Sequence, residues 1–145
     1  MQLAALKHRT ESEDCFVIDH SHVKIRLYTA KDDVEKVIVH YTDNYLPPKQ
    51  AKELEMEKIG SGQVNDYWGA TLTAPYHRIK YTFEVIGKDG SHVLFGDRSI
   101  EKFSDKKLRE DGMYFKVPYF HDIDRIKTPK WLKDIVWYQI FPERF

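Results

Sequence analysis

His20 and His22 in "DHSH" stand at i and i+2, so on a strand they share one face, and two imidazoles so placed can grip zinc if a third and fourth ligand arrive. No such ligands accompany them, and "VIDHSHV" reads as a turn, where Asp, His and Ser are ordinary. Cys15, the only cysteine, precedes Phe16 and Val17 in a candidate strand and reads as a small buried apolar residue rather than a nucleophile. A glycosidase needs two carboxylates roughly 5 to 9.5 Å apart. A hydrolase triad needs an oriented base, and a phosphate site a glycine-rich loop entering a helix. None is visible: Glu53, Glu55, Glu57 and Glu84 alternate with apolar residues and read as a solvated sheet face. Glu143, beside the C-terminal apolar run, is the carboxylate to watch, with Arg144 as its structural partner. No catalytic residue, metal ligand or cofactor site follows from these groups.

Two aromatic clusters carry more. "HYTDNYLPP" sets Asp43, Asn44 and Tyr45 where a strand runs into a proline-stiffened loop, and "NDYWGA" sets Tyr67 and Trp68 at the start of another strand. Sugars are held by aromatic faces packed on their C–H surfaces and by Asp, Asn or Arg groups bonding their hydroxyls. Tyr45 fits a loop platform. Tyr67 and Trp68 fit either that use or the filling of a core.

The elements that position these groups follow from a period of two. "HVKIRLYT" alternates Val23, Ile25 and Leu27 against Lys24, Arg26 and Tyr28; "EKVIVHY" and "IKYTFEVI" repeat the habit. "ELEMEKI" places Leu54 and Met56 inward, predicting a strand over 53–59 despite its helix-forming residues. Further strands are predicted at 15–18, 67–74, 92–96 and 113–120, with turn chemistry at "KDD", "GSG" and "GKDG". Short strands at this spacing predict an all-β, immunoglobulin-like antiparallel β-sandwich.

The chain has 145 residues, enough for one core, and its 23 Lys plus Arg balance 23 Asp plus Glu, which removes any global field suggesting nucleic acid. A lone thiol, and the absence of an apolar run long enough for a leader or a membrane span, predict a soluble cytoplasmic protein with no membrane partner. Near residue 121 the composition shifts, and "HDIDRIKTPKW" reads as a linker. Beyond it "IVWYQIF" is β-branched and aromatic on both parities, as suits a strand buried on both faces, yet little sequence follows to supply its neighbours. The expected organisation is a sandwich over 1–121, a linker over 122–134, and over 135–145 the start of a further domain.

At "VWYQIFPERF", residues 136–145, the sequence resembles the opening of the catalytic barrel in glycoside hydrolase family 13, in the form found in cyclomaltodextrinases, neopullulanases and maltogenic amylases. Upstream, "YTDNY", "GSGQVNDYWGATL" and "APYHRIKYTFEV" resemble stretches of the same subfamily's N-terminal domain, a β-sandwich assigned to carbohydrate-binding module family 34. The resemblance makes the tail the truncated first strand of a (β/α)8 barrel. It implies an α-glucan hydrolase whose catalytic carboxylates lie beyond residue 145, so that this fragment is not itself an enzyme while its parent is, with calcium left open for the full-length enzyme. It also implies a homodimer in which this domain covers the partner subunit's cleft and favours cyclodextrins and short α-1,4-glucans. Tyr45 then matches the loop tyrosine that reaches the partner's active site, with Asp43 shaping the loop and Arg78, Tyr67 and Trp68 as further sugar contacts. Pro47 departs from the pattern, standing where many relatives carry tryptophan. Two other readings of the same residues are an autonomous maltooligosaccharide-binding module and a purely structural interaction sandwich.

Overall fold

In the computed structural model, residues 1–123, 125 and 127–140 are described. The strands are β1 (Cys15–Val17), β2 (His22–Ala30), β3 (Val34–Thr42), β4 (Lys52–Glu55), β5 (Glu57–Ser61), β6 (Asn65–Thr73), β7 (Ile79–Gly87), β8 (His92–Phe95), β9 (Ile100–Lys102) and β10 (Phe115–Val117); one short helix, α1 (Asp105–Leu108), precedes β10. They form two antiparallel sheets, one in the order β1-β2-β6-β5, the other β4-β3-β7-β8-β9 with β10 pairing the first residues of β7. The period-two pattern turns Val23, Ile25 and Leu27 of β2 and Trp68, Ala70 and Leu72 of β6 toward Val37 and Val39 of β3 and Ile79, Tyr81, Phe83 and Val85 of β7. All are buried in one cluster. Burying a side chain such as Leu27 or Phe83 contributes about 1.5–3 kcal/mol, which is why the alternation, rather than any single contact, selects this two-layer arrangement.

Some expectations change. The segment read as one strand over 53–59 is two: β4 pairs with β3 in the larger sheet, β5 pairs with β6 in the smaller, and the chain crosses between sheets at Met56. Met56 is buried and its N–H donates to the Val37 carbonyl at 2.9 Å, so one apolar anchor suffices for the crossing, while Leu54, expected inward, lies on the exposed face. The segment 113–120 contributes only β10, because Asp111–Met113 winds into a 3-10 turn. Glu84 is no solvated sheet residue. It is 8% exposed, and its carboxylate accepts from His40 Nε2 and His92 Nε2, each at 2.7 Å. The reason is a second small core on the outer face of the larger sheet, where Leu94, Met113 and Tyr114 pack with Phe103 and Leu108.

That outer layer was not foreseen. β9 follows β8 by a hairpin, and α1 begins at Ser104, whose hydroxyl accepts the Lys107 N–H at 3.3 Å as an N-cap. The predicted turn at "DHSH" is present: Asp19 Oδ1 accepts the Ser21 N–H at 2.8 Å and pairs with His22 Nδ1 at 2.9 Å. Cys15 is buried, and burial pushes its thiol up. Residues 130–134 form a 3-10 turn, and 135–140 form no strand; Val136 is 95% exposed. The rest of the expected barrel strand, Phe141, and the carboxylate Glu143 lie outside the described residues. Among the described residues no helix is long and apolar enough to cross a membrane.

Candidate functional site

The antiparallel pairing of β3 with β7 sets Thr42 opposite Lys80, so the loop leaving β3 and the turn entering β7 meet at one end of the sandwich. In the first, Asp43 makes an Asx turn: its Oδ1 accepts the Tyr45 N–H at 2.9 Å while its carbonyl accepts the Leu46 N–H at 3.1 Å. Pro47 and Pro48 stiffen the exit, and a 3-10 turn over Pro48–Gln50 follows. Tyr45 is thereby held out at 81% exposed. In the second, the Ala74 carbonyl accepts the His77 N–H at 3.0 Å, closing a turn with Pro75 and Tyr76 at its centre, and His77 takes a left-handed φ of 56°.

Arg78 joins the two loops. Its Nε donates to Asp43 Oδ2 at 2.9 Å and Oδ1 at 3.2 Å. Its Cζ lies 4.4 Å from the centre of the Tyr45 ring and 5.8 Å from that of Tyr76. A guanidinium within about 6 Å of a ring face is drawn to it, by about 0.5–1 kcal/mol where the pair is exposed. One arginine therefore fixes the Asp43 turn electrostatically and the tyrosine above it by cation–π contact. The result is a pre-ordered aromatic surface with polar groups at its margin, suited to packing on an uncharged polyhydroxylated ring.

The remaining expected contacts lie elsewhere or do other work. Asn44 ties the loop to β10, its Nδ2 donating to the Val117 carbonyl at 2.9 Å, while its own carbonyl accepts from Lys80 Nζ at 3.4 Å. Trp68 is a core residue, 6% exposed, with Nε1 donating to Thr29 Oγ1 at 3.1 Å, so it offers no face to a ligand. Tyr67 sits half-buried against Tyr28 on the outer side of the smaller sheet. Being six residues along β6 from Thr73, it is roughly 20 Å from the Tyr45 end of the sandwich. Asp66, next to it, is structural: burial alone would raise its carboxyl, but donors from Lys58, Ser61 and the Asp32 N–H hold it at about 2.

Sequence reasoning passed over Tyr76, which is 61% exposed beside Arg78. Its signal was an aromatic at the centre of a proline turn, two residues before the arginine. A cavity of about 780 Å³ between β1 and the chain after β10, lined by Phe16, Val17, Tyr119 and Phe120 among others, adjoins this end of the sandwich, where the Phe120 N–H donates to the His77 carbonyl at 2.8 Å. Among the described residues no group of three or more His, Cys, Asp or Glu is placed to hold a metal.

The fold is thus a two-sheet immunoglobulin-like sandwich of the antiparallel kind, with exposed loop aromatics gathered around Arg78 at one end. The chain belongs to the family described as "Alpha amylase, N-terminal ig-like domain", whose model matches residues 1–121. It is 35% identical over 148 residues to the intracellular maltogenic amylase of Bacillus subtilis (strain 168), a match spanning 100% of this chain and 25% of that protein. Neopullulanase 2 of Thermoactinomyces vulgaris is 34% identical over 146 residues, again across 100% of this chain and 24% of its own length. A solved cyclomaltodextrinase superposes with a TM-score of 0.84 at 27% identity, covering 98% of this chain and 24% of that one. The chain thus spans about a quarter of the length of the relatives it matches.

Proposed function

We propose that this domain serves an α-glucan hydrolase of the cyclomaltodextrinase, neopullulanase or maltogenic amylase type. In that protein it mediates dimerisation with a second subunit, and the Tyr45 loop narrows that subunit's substrate cleft in favour of cyclodextrins and short α-1,4-glucans. Its own catalytic domain and the second subunit are then its protein partners, α-glucans its ligand, and the cytoplasm its compartment, in keeping with a relative named as intracellular. The observation that carries the reading is Tyr45: fully formed as a platform, 81% exposed, and locked by Arg78 and Asp43 rather than by any need of the core. An aromatic so ordered loses little freedom on binding, so its contact energy goes into affinity.

In the full-length protein, Tyr45→Ala is expected to lower kcat/KM for β-cyclodextrin several-fold relative to soluble starch, because one stacking contact is worth about 0.5–1.5 kcal/mol. Sedimentation of the same protein should show a dimer. An unchanged preference between the two substrates, or a monomer with full selectivity, refutes the reading.

A further inference from the structure

Tyr76 has no structural work that would explain its position. It lies outside both hydrophobic clusters, and its turn is already fixed by Pro75 and by the His77 N–H bonded to the Ala74 carbonyl. What does hold it is the Arg78 guanidinium, 5.8 Å from its ring and 4.4 Å from that of Tyr45. Among the described residues the hydrogen bonds of Arg78 run through Nε to Asp43, which leaves its two Nη amino groups to donate to a ligand. The arrangement is therefore two exposed tyrosines on two separate loops that share one cation with donors to spare.

We infer that Tyr45 and Tyr76 form a paired platform that takes two glucosyl units of one α-1,4-glucan, with Arg78 donating to ring or hydroxyl oxygens between them. The inference rests on the glucan reading of Tyr45 and deepens it by assigning a binding residue and a minimum ligand length. The chemistry favours a neutral sugar over an anion, because Asp43 already neutralises the arginine at 2.9 Å. It also favours an oligosaccharide over a monosaccharide, since a chain of sugar rings can offer one ring to each loop.

The test is an NMR titration of the 145-residue chain with maltose, maltotriose, maltohexaose and β-cyclodextrin, following the aromatic signals of both tyrosines. Tyr76→Ala is expected to weaken maltohexaose binding roughly two- to tenfold. Tyr76→Trp should retain it, and since Tyr76 is exposed neither variant should lower the melting temperature. Wild-type protein should shift both rings with maltohexaose at a common half-saturation. If Tyr45→Ala loses binding while Tyr76→Ala stays within about twofold of wild type, the paired platform is wrong and the Tyr45 reading stands. If no ligand shifts either ring, the paired platform falls, while the cleft reading of Tyr45 is decided by the substrate preference of the full-length protein.

Discussion

Acid should unfold this domain through one histidine before its ion pairs begin to fail. His8 lies against Tyr81, Phe83 and Phe115, with ring centres 5.5, 4.9 and 4.8 Å away. Its Nδ1 is 2.7 Å from the Arg26 carbonyl and must donate there, so Nε2, 2.7 Å from the Tyr81 hydroxyl, accepts in the neutral ring. Burial pushes its pKa down from 6.5 to about 4, with the Arg26 carbonyl opposing in part. The unfolded chain therefore takes up a proton near 6.5 that the folded chain refuses until about 4. The stability tied to the neutral ring is fully present above the first value and lost as pH falls toward the second. A gap of this size corresponds to about 3 kcal/mol, most of which should be gone by about pH 4.5. Asp19 and Asp66, held at about 2, and Asp111, also lowered, withdraw their contributions only at lower pH. Asp14, raised by burial, acts in the opposite direction. Urea unfolding followed by circular dichroism at about pH 7.5 and about pH 4.5 measures the loss. His8→Gln, which can keep both hydrogen bonds without titrating, should remove most of it. Equal losses in wild type and His8→Gln would refute the assignment.

Two further outcomes concern packing. Gly96→Ala would drive a Cβ into the Met113 carbonyl where β8 turns toward β9, and it should cost about 3 kcal/mol in thermal or urea unfolding; a change below about 0.5 kcal/mol would show that this contact yields easily. Glu84→Leu removes the acceptor shared by His40 and His92, leaving a buried imidazole N–H unpaired on β3, and should cost about 2–4 kcal/mol, whereas Glu84→Gln should cost less than half as much. Equal losses for the two substitutions would mean that packing, not the hydrogen bonds, holds that layer.

The residues that made the fold legible are those whose partners are set by the pleat. Val23, Ile25 and Leu27 could be assigned to a core face from their spacing alone, because side chains alternate along any strand. Leu54 and Met56 fit the same alternation, yet β4 and β5 belong to different sheets and only Met56 is inside. Alternation says which residues share a face. It cannot say that the sheet beneath them changes. Glu84 failed for a related reason: its strand shows it to solvent, and the chain around α1 and β10, distant in sequence, covers it.

The Tyr45 loop could be read because its signals are local: a strand end, an Asx residue and two prolines. Trp68 could not be assigned between core and surface until both sheets were in place, since its burial depends on the facing layer rather than on its neighbours in the chain. The sequence by itself determined the strand pattern, the sandwich class, the resemblance to the amylase family and one exposed tyrosine. Tertiary structure alone decided that Arg78 reaches from the turn before β7 to Asp43, that Tyr76 and Tyr45 share that arginine, and that Tyr67 belongs to the opposite end. Such meetings arise from the register of β3 on β7, which is the sum of many weak, long-range burial terms and leaves no mark at the residues it brings together.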